Sequence, residues 1–431
     1  MPRYRDYGDN KVDILDDLAF RGYIFQMTGE EALRKRLAEG PITLYCGFDP
    51  TADSLHVGSL VPIMGLRRFQ DAGHKPIALI GGGTGLIGDP SGKGEERQLN
   101  TLEVVQSYTE SQRVQLEKYL DFEAADNAAQ MVSNYTWLSE LRTIEFLRDV
   151  GKHFSMGYML AKESVSSRLE TGISFTEFSY MVLQSYDFME LNRQYGCELQ
   201  IGGSDQWGNI TAGIELTRRM LNKTVYGLTF PLLEKSDGTK FGKTETGTIW
   251  LDPEKTSPYQ FYQFWINAED RDVVKFLKLF TFLSHERIVE LEQEVQEHPE
   301  KRTAQRVLAE EVTVFIHGAA AKDRAVHISE ALFYGNLQDL SGHEIEEGFS
   351  DVPSHELNGS SEVGLVDLLV DAKISSSKRQ AREDIKTGAI YINGERCEDM
   401  GRSLSPADGL AGKYLVMRRG KRKYFLVKWS V

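Results

Sequence analysis

Residues 45–59 read Y-C-G-F-D-P-T-A-D-S-L-H-V-G-S, from Tyr45 to Ser59, and the fold turns on how this stretch is parsed. Apolar Ile42, Leu44 and Phe48 interleave with Tyr45, Gly47 and Asp49, so a period of two sends the second set to one side of an extended segment. A Pro50-Thr51 turn follows, Ser54 is a candidate cap, and Leu60, Ile63, Met64, Leu66 and Phe69 recur at helical spacing from a start near Gly58. Pro62 falls in the first helical turn, where its missing donor costs little. The strand thus carries Tyr45 and Asp49 to a sheet edge, and the helix brings His56 and free backbone amides to the same edge. Free N–H groups at the positive end of a helix suit a nucleotide phosphate. An ordinary strand-to-helix turn of any α/β domain fits the same letters.

Working outward, residues 11–38 look helical and polar-faced. Lys75 to Ile80 reads as a second strand feeding G-G-G-T-G-L-I-G-D-P-S-G-K, Gly-rich but without P-loop spacing. Thr101 to Leu120 predicts a helix, Met131 to Thr136 a strand, and Leu138 to Val150 another helix. Alternation of this kind implies an α/β fold with a parallel sheet and ligands at the carboxyl ends of its strands. Phe175 to Leu191 predicts a helix on which Tyr180, Gln184 and Asp187 share one face, either a solvent face or a pocket wall. Glu198 to Gly203 is a short strand ending in G-G-S-D-Q-W, before a helix carrying Arg218 and Arg219.

Leu232 to Thr248 lacks apolar periodicity and reads as a mobile loop bearing Lys235, Lys240 and Lys243, or equally as a solvated basic turn. Ser257 to about Phe333 is helical in pattern. Residues 341–362 hold six acids and no Lys or Arg, which suggests a linker or an irregular surface segment. From Val363 a helix, K-I-S-S-S-K-R-Q-A-R-E-D-I, a strand Ala389 to Ile392, an Asn393-Gly394 turn and a closing strand predict a small α+β end with a hairpin.

The chain has 431 residues, too many for one compact core, so two or three domains are expected. Three scattered cysteines, Cys46, Cys197 and Cys397, argue for a reducing compartment rather than a disulfide framework. No signal-peptide core and no apolar run of about 20 residues is present, so a cytoplasmic protein is expected. The net charge of −14 is uneven: residues 363–431 carry 14 Lys+Arg against 8 Asp+Glu, leaving 36 against 56 for the rest. A basic tail on an acidic body points to a polyanionic partner for the tail.

H-V-G-S resembles the H-x-G-H signature of class I aminoacyl-tRNA synthetases, and the whole 45–59 stretch is similar to the bacterial tyrosyl-tRNA synthetase family. The similarity continues through G-D-P-S-G-K, the Gln200 to Gln206 stretch, and K-F-G-K-T, which resembles the second signature K-M-S-K-S. Ser59 departs from the signature, standing where a second His is usual. The C-terminal end resembles the S4-type RNA-binding module.

The resemblance implies a doubly wound, Rossmann-like parallel-sheet catalytic domain (1–247), an all-helical anticodon-stem domain (248–340), an acidic linker (341–362) and a small α+β S4-like domain (363–431). It implies activation of tyrosine on ATP, with Mg²⁺ accompanying the nucleotide, and transfer to tRNA(Tyr) by a homodimer, without a tightly bound cofactor or structural metal. Thr51 and His56 would contact the ATP phosphates, and Lys240, Lys243 and Thr244 the departing pyrophosphate, with Lys93 and Arg97 adding to that grip. Tyr45 and Asp187 would hold the substrate phenol, Asp89, Tyr180 and Gln184 its ammonium, and Gln206 its carboxylate, with Asp49 near the reacting groups. Cys46, Gly47, Gly58, Ser59, Gly203 and Asp205 would surround the nucleotide. Arg218 and Arg219, with Ser377, Lys378, Arg379 and Arg382, would meet RNA phosphates. Two rival readings stay open at this level: another adenylate-forming nucleotidyltransferase, and an RNA-binding protein without catalysis.

Overall fold

The computed structural model describes residues 13–92, 98–170, 172–236, 238, 241–244, 247–359, 362–420 and 423–430, the side chains of 243 and 244 excepted. The chain divides into two compact units, Met1–Thr256 with Asn267–Ile316, and Ser257–Ile266 with His317–Val431.

The first unit is built on a six-stranded sheet of β1 (Gln26–Met27), β2 (Thr43–Phe48), β3 (Lys75–Ile80), β4 (Gln130–Ser133), β5 (Cys197–Gly203) and β6 (Tyr226–Phe230). Their order is β1-β6-β5-β2-β3-β4, all parallel except β1 against β6. From β2 the chain winds outward through β3 and β4, then returns beside β2 with β5. The winding direction therefore reverses between β2 and β5, and a crevice opens there at the carboxyl ends. The α/β fold with a doubly wound sheet is as expected.

Several elements differ from the sequence expectation. Residues 14–38 form two helices, Ile14–Phe20 and Glu30–Ala38, separated by the edge strand β1. The supposed strand Met131 to Thr136 stops at Ser133, because Asn134 turns helical and Tyr135–Leu138 coils. Only Thr143–Asp149 of the next predicted helix forms with that run. Thr101 and Ser174 cap the helices Leu102–Leu116 and Phe175–Tyr195 by accepting from Val104 N and Glu177 N, and Gly196 (φ 63°) ends the second.

The helices of residues 267–316 do not form one domain with 257–266 and 317–334; they belong with the sheet. The cause is a buried polar knot. Arg21 donates to the carbonyls of Lys278, Thr281 and Leu283, Tyr23 to Leu279 O and Arg68 to Thr281 O, satisfying the end of helix Asp270–Phe280. Asp17 balances these guanidiniums, 2.7 Å from Arg21 and 3.8 Å from Arg68.

In the second unit, helices Pro258–Ile266 and Ala319–Tyr334 accompany a five-stranded sheet ordered Glu395–Arg396, Ile390–Ile392, Tyr414–Arg419, Lys423–Ser430 and Ser354–Asn358. Asn393 (φ 51°) and Gly394 (φ 88°) make the expected tight hairpin turn. The segment 341–362 is not a linker. Ser341 and Glu344 form a capping box that starts helix Gly342–Gly348, whose Ile345 is buried, and Ser354–Asn358 is a sheet strand.

Candidate active site

All the residues expected to surround tyrosine or nucleotide, with Thr51 and His56, line one cleft of about 360 Å³ at the β2/β5 crossover. Sheet geometry explains much of this. Tyr45 sits on β2 with Phe188 of helix Phe175–Tyr195 against its ring, 5.3 Å between centroids. Its side chain is buried, and its hydroxyl has no hydrogen-bond partner among the described residues. The Asp187 carboxylate accepts from Trp137 Nε1 at 2.7 Å and Asn134 Nδ2 at 2.9 Å. Burial nonetheless dominates those two donors and pushes the Asp187 carboxyl up to about 8. Burial, then the Asp187 charge, raises the Tyr45 phenol well above its usual range, so Tyr45 is a neutral donor.

A second cluster is polar throughout. Tyr180 donates its hydroxyl to Asp49 Oδ2 and Thr84 donates to Asp49 Oδ1, both at 2.7 Å. Burial and the Asp49 charge raise the Tyr180 phenol, keeping it protonated. Gly81 permits this arrangement: a Cβ there would lie 2.0 Å from Asp49 Oδ1. Gln206 Nε2 donates to Asp89 Oδ2 at 2.7 Å and to Asp205 Oδ2 at 3.2 Å, while Gln184 Nε2 donates to Gln206 Oε1 at 3.2 Å. Asn209 donates to Gln184, Gln206 and Ser91, tying the cluster to the helix after β5. This cluster therefore brings Asp49, Asp89 and Asp205 to the cleft in addition to Asp187, an arrangement suited to an ammonium group and ribose hydroxyls.

The nucleotide side is formed by the turn after β2. The N-cap is His56 rather than Ser54: His56 Nδ1 accepts from Gly58 N at 3.0 Å, whereas Ser54 is occupied with Leu55 O and Gln115. A Cβ on Gly58 would meet the His56 ring at 2.6 Å, so a side chain there would displace the ring from its cap. Ser59 N donates to His56 O at 2.8 Å, and the helix Leu60–Asp71 runs on with Pro62 in its first turn. Cys46 is a buried thiol, raised by that burial to about 12.

The lysine-bearing stretch reaches this turn through its backbone. Val57 N donates to Ile249 O and Leu251 N to Leu55 O, and Ile249 N donates to Gly242 O. Gly242 (φ 79°) packs so closely that a Cβ would lie 2.6 Å from Val57 Cγ2. Lys243–Thr244 pairs antiparallel with Gly247–Thr248. Lys93, Arg97 and Lys240 lie outside the described residues, as do the side chains of Lys243 and Thr244.

The RNA candidates lie elsewhere. Arg218 and Arg219 are exposed but both paired with Glu215, which they hold at about 2 through hydrogen bonds. In the second unit Ser377 caps helix Lys378–Lys386 by accepting from Gln380 N, so its hydroxyl is committed locally. Lys378 pairs with Asp367, while Arg379 and Arg382 are exposed with no ion pair among the described residues.

Sequence reasoning missed Thr84, Asn134, Trp137, Gln200 and Asn209. Thr84 and Asn134 follow the carboxyl ends of β3 and β4, so sheet topology was the available signal. Trp137 was hidden by the misplaced strand end.

Residues 37–334 match the family of class I tRNA synthetases (W and Y), and residues 344–427 match the tyrosine–tRNA ligase SYY-like C-terminal domain. The chain is 61% identical to the tyrosine–tRNA ligase of Bacillus velezensis over 420 residues, covering 97% of this chain and 100% of that one. The tyrosine–tRNA ligase of Geobacillus stearothermophilus matches at the same identity and coverage. Among solved structures, a C-terminally truncated mitochondrial tyrosyl-tRNA synthetase of Aspergillus nidulans superposes with a TM-score of 0.68 at 31% identity, covering 76% of this chain and 95% of that one.

Proposed function

The chain belongs to the tyrosine–tRNA ligases of the class I synthetase family, and from that premise we propose how its cleft residues divide the work. The enzyme activates L-tyrosine with ATP to tyrosyl-adenylate and pyrophosphate, then transfers the tyrosyl group to the 3′ adenosine of tRNA.

The observation that carries the proposal is the buried Tyr45 hydroxyl, without a partner among the described residues, in the wall of a cleft that also holds the buried Asp187. Orphaned polar groups in a dry wall are costly unless a ligand completes them. A phenol does so, donating to Asp187 and accepting from Tyr45. Phenylalanine leaves the Tyr45 hydroxyl unpaired and gives Asp187 no donor beyond Trp137 and Asn134, and tyrosine-activating enzymes are the usual illustration of that rule. Asp89, Tyr180 and Gln184 hold the substrate ammonium, Gln206 its carboxylate, and Asp49 steadies Tyr180 near the reacting groups.

In the first step a tyrosine carboxylate oxygen forms a bond to the α-phosphorus as the bond to pyrophosphate breaks. The attacking group is already an anion, so no base is needed; alignment and charge stabilisation lower the barrier. His56, Thr51 and the amides at the start of the helix after β2 face the phosphates, where a positive helix end favours them. Lys240, Lys243 and Thr244 meet the leaving pyrophosphate, with Lys93 and Arg97 beside it. Mg²⁺ arrives on ATP, held by phosphate oxygens and water. Cys46, Gly47, Gly203 and Asp205 border the ribose, and Ser59 replaces a histidine there with a shorter hydroxyl. In the second step the tRNA ribose hydroxyl attacks the tyrosyl carbonyl and AMP leaves.

Arg218, Arg219, Lys378, Arg379 and Arg382 contact tRNA(Tyr) phosphates, the last three from an S4-like end. A homodimer in the cytoplasm completes the proposal. Exposed Ile144, Leu147, Met156, Leu160 and Phe175 support a covered apolar surface on the first unit.

The test is tyrosine- and phenylalanine-dependent ATP–pyrophosphate exchange on Tyr45→Phe. Loss of one of two phenol partners should lower discrimination by about tenfold, the worth of roughly one hydrogen bond. An unchanged ratio removes Tyr45 from the pocket.

A further inference from the structure

We infer that Trp250 is a positioning residue for adenylate formation, its indole holding the His56 imidazole in place beside the cleft; this rests on the reading of His56 as a phosphate contact. Leu251 N donates to Leu55 O at 2.9 Å and Val57 N to Ile249 O at 3.0 Å. His56 and Trp250 therefore face each other as an antiparallel pair flanked by those two bonds, the kind of pair whose side chains approach most closely. Their rings meet edge to face, 6.2 Å between centroids with 75° between planes. Among the described residues His56 lines the cleft and Trp250 does not, so the indole acts on the cleft through its neighbour.

Both sides of the contact are held from elsewhere. On one, His56 Nδ1 accepts from Gly58 N at 3.0 Å, so the neutral ring carries its proton on Nε2, a donor for a phosphate oxygen. That hydrogen bond fixes a point on the ring, and the indole beside it restricts the plane. On the other side, Trp250 N donates to Thr256 Oγ1 at 3.0 Å. Lys255 Nζ stands 5.5 Å from the centre of the indole ring and pairs with Asp53 at 2.8 Å. Asp53 belongs to the same turn as His56, so backbone bonds, a ring contact and an ion pair bind residues 249–256 to residues 53–57. Ile249 N also donates to Gly242 O, which sets the indole where the lysine-bearing stretch meets the turn after β2. A donor that meets the transition state loses rate when it is misplaced, with little change in ground-state binding. The edge contact of an aromatic pair is worth a factor of about two to ten.

Trp250→Leu removes the ring and keeps an apolar side chain. In tyrosine-dependent ATP–pyrophosphate exchange, kcat should fall about fivefold while the KM values for tyrosine and ATP hold within about twofold. Trp250→Phe, which keeps an aromatic edge, should recover most of that loss. The deciding measurement is the double variant: in a His56→Ala background, Trp250→Leu should lower kcat by less than about twofold. A larger further loss there overturns the inference, as does an unchanged kcat in Trp250→Leu alone or a matching rise in the KM for tyrosine. His56→Ala alone isolates the premise: if it keeps the kcat of the unaltered enzyme, the phosphate reading of His56 fails, and not Trp250 alone. Should Trp250→Leu not fold, a crystal of the unaltered enzyme with ATP decides. A His56 ring on a phosphate oxygen and still against the indole supports the inference, and a ring that has left either overturns it.

Discussion

Asp187 carries the residue-scale argument, because its two faces pull in opposite directions. Burial raises its carboxyl to about 8, while Trp137 and Asn134 donate to it and favour the ionised form. In the unfolded chain the same group titrates near 4. The folded protein therefore binds a proton that the unfolded chain has released, and this group's contribution to stability falls as pH rises from about 4 to about 8, then stays level. A bound phenol adds a third donor, which tips the balance to the carboxylate. Tyrosine binding should thus release a proton at pH 7, measurable by calorimetry in two buffers of different ionisation heat. Zero release, or uptake, would show that Asp187 does not accept from the substrate. The letters around residue 187 showed a polar stripe and left its side of the helix undecided. Its donors lie more than 49 residues upstream in sequence, at 134 and 137, and periodicity carries no information about such partners.

At the scale of elements, the turns at the ends of β2 and β3 set the cleft's dimensions. β2 brings Asp49 to the end of β3, where Gly81 follows the last strand residue and leaves room for the carboxylate. Gly81→Ala would place a methyl group 2.0 Å from Asp49 Oδ1 and 2.5 Å from Thr84 Oγ1, so Asp49 must move and Tyr180 loses its acceptor. We expect the variant to fold with a modest loss of melting temperature and to lose tyrosine affinity by about tenfold or more. Unchanged affinity by equilibrium dialysis would detach Asp49 and Tyr180 from the substrate. Elements of this kind were readable where pattern and punctuation agreed, as in Thr43–Phe48, Lys75–Ile80 and Phe175–Tyr195. They were misread where composition alone spoke. The acidic run after residue 340 looks like a linker by charge, yet Ser341-Gly-His-Glu344 is a capping-box spacing that announces a helix. In residues 14–38 the two-residue strand β1 is too short to leave a period, and only its pairing with Tyr226–Phe230 defines it.

For the whole molecule, the division into units changes how RNA binding must be tested. The sequence reading puts a domain boundary at Val363, but the second unit's core crosses that point. Ile328, Leu337, Ile345 and Phe349 pack with Leu410, Tyr414, Val416 and Leu426, and strand Ser354–Asn358 pairs with Lys423–Ser430. Removing residues 363–431 would expose the first group of apolar side chains and leave that strand an open edge, so a truncated chain should aggregate on thermal ramping. Its failure to charge tRNA would then say nothing about contacts. Charge reversal in the full chain avoids this, because Arg379 and Arg382 are exposed on helix Lys378–Lys386 while its Ala381 and Ile385 are buried. Three and four residues apart, Lys378, Arg379 and Arg382 share a face that a phosphate backbone could follow. Arg379→Glu with Arg382→Glu should raise the KM for tRNA in charging at least about tenfold and flatten the salt dependence of log K by roughly one to two units. Tyrosine-dependent exchange, which needs no tRNA, should keep its rate. Charging that keeps both its KM and its salt slope would move the RNA contact off this helix, and the exposed pair Arg218 and Arg219 would be the next surface to reverse.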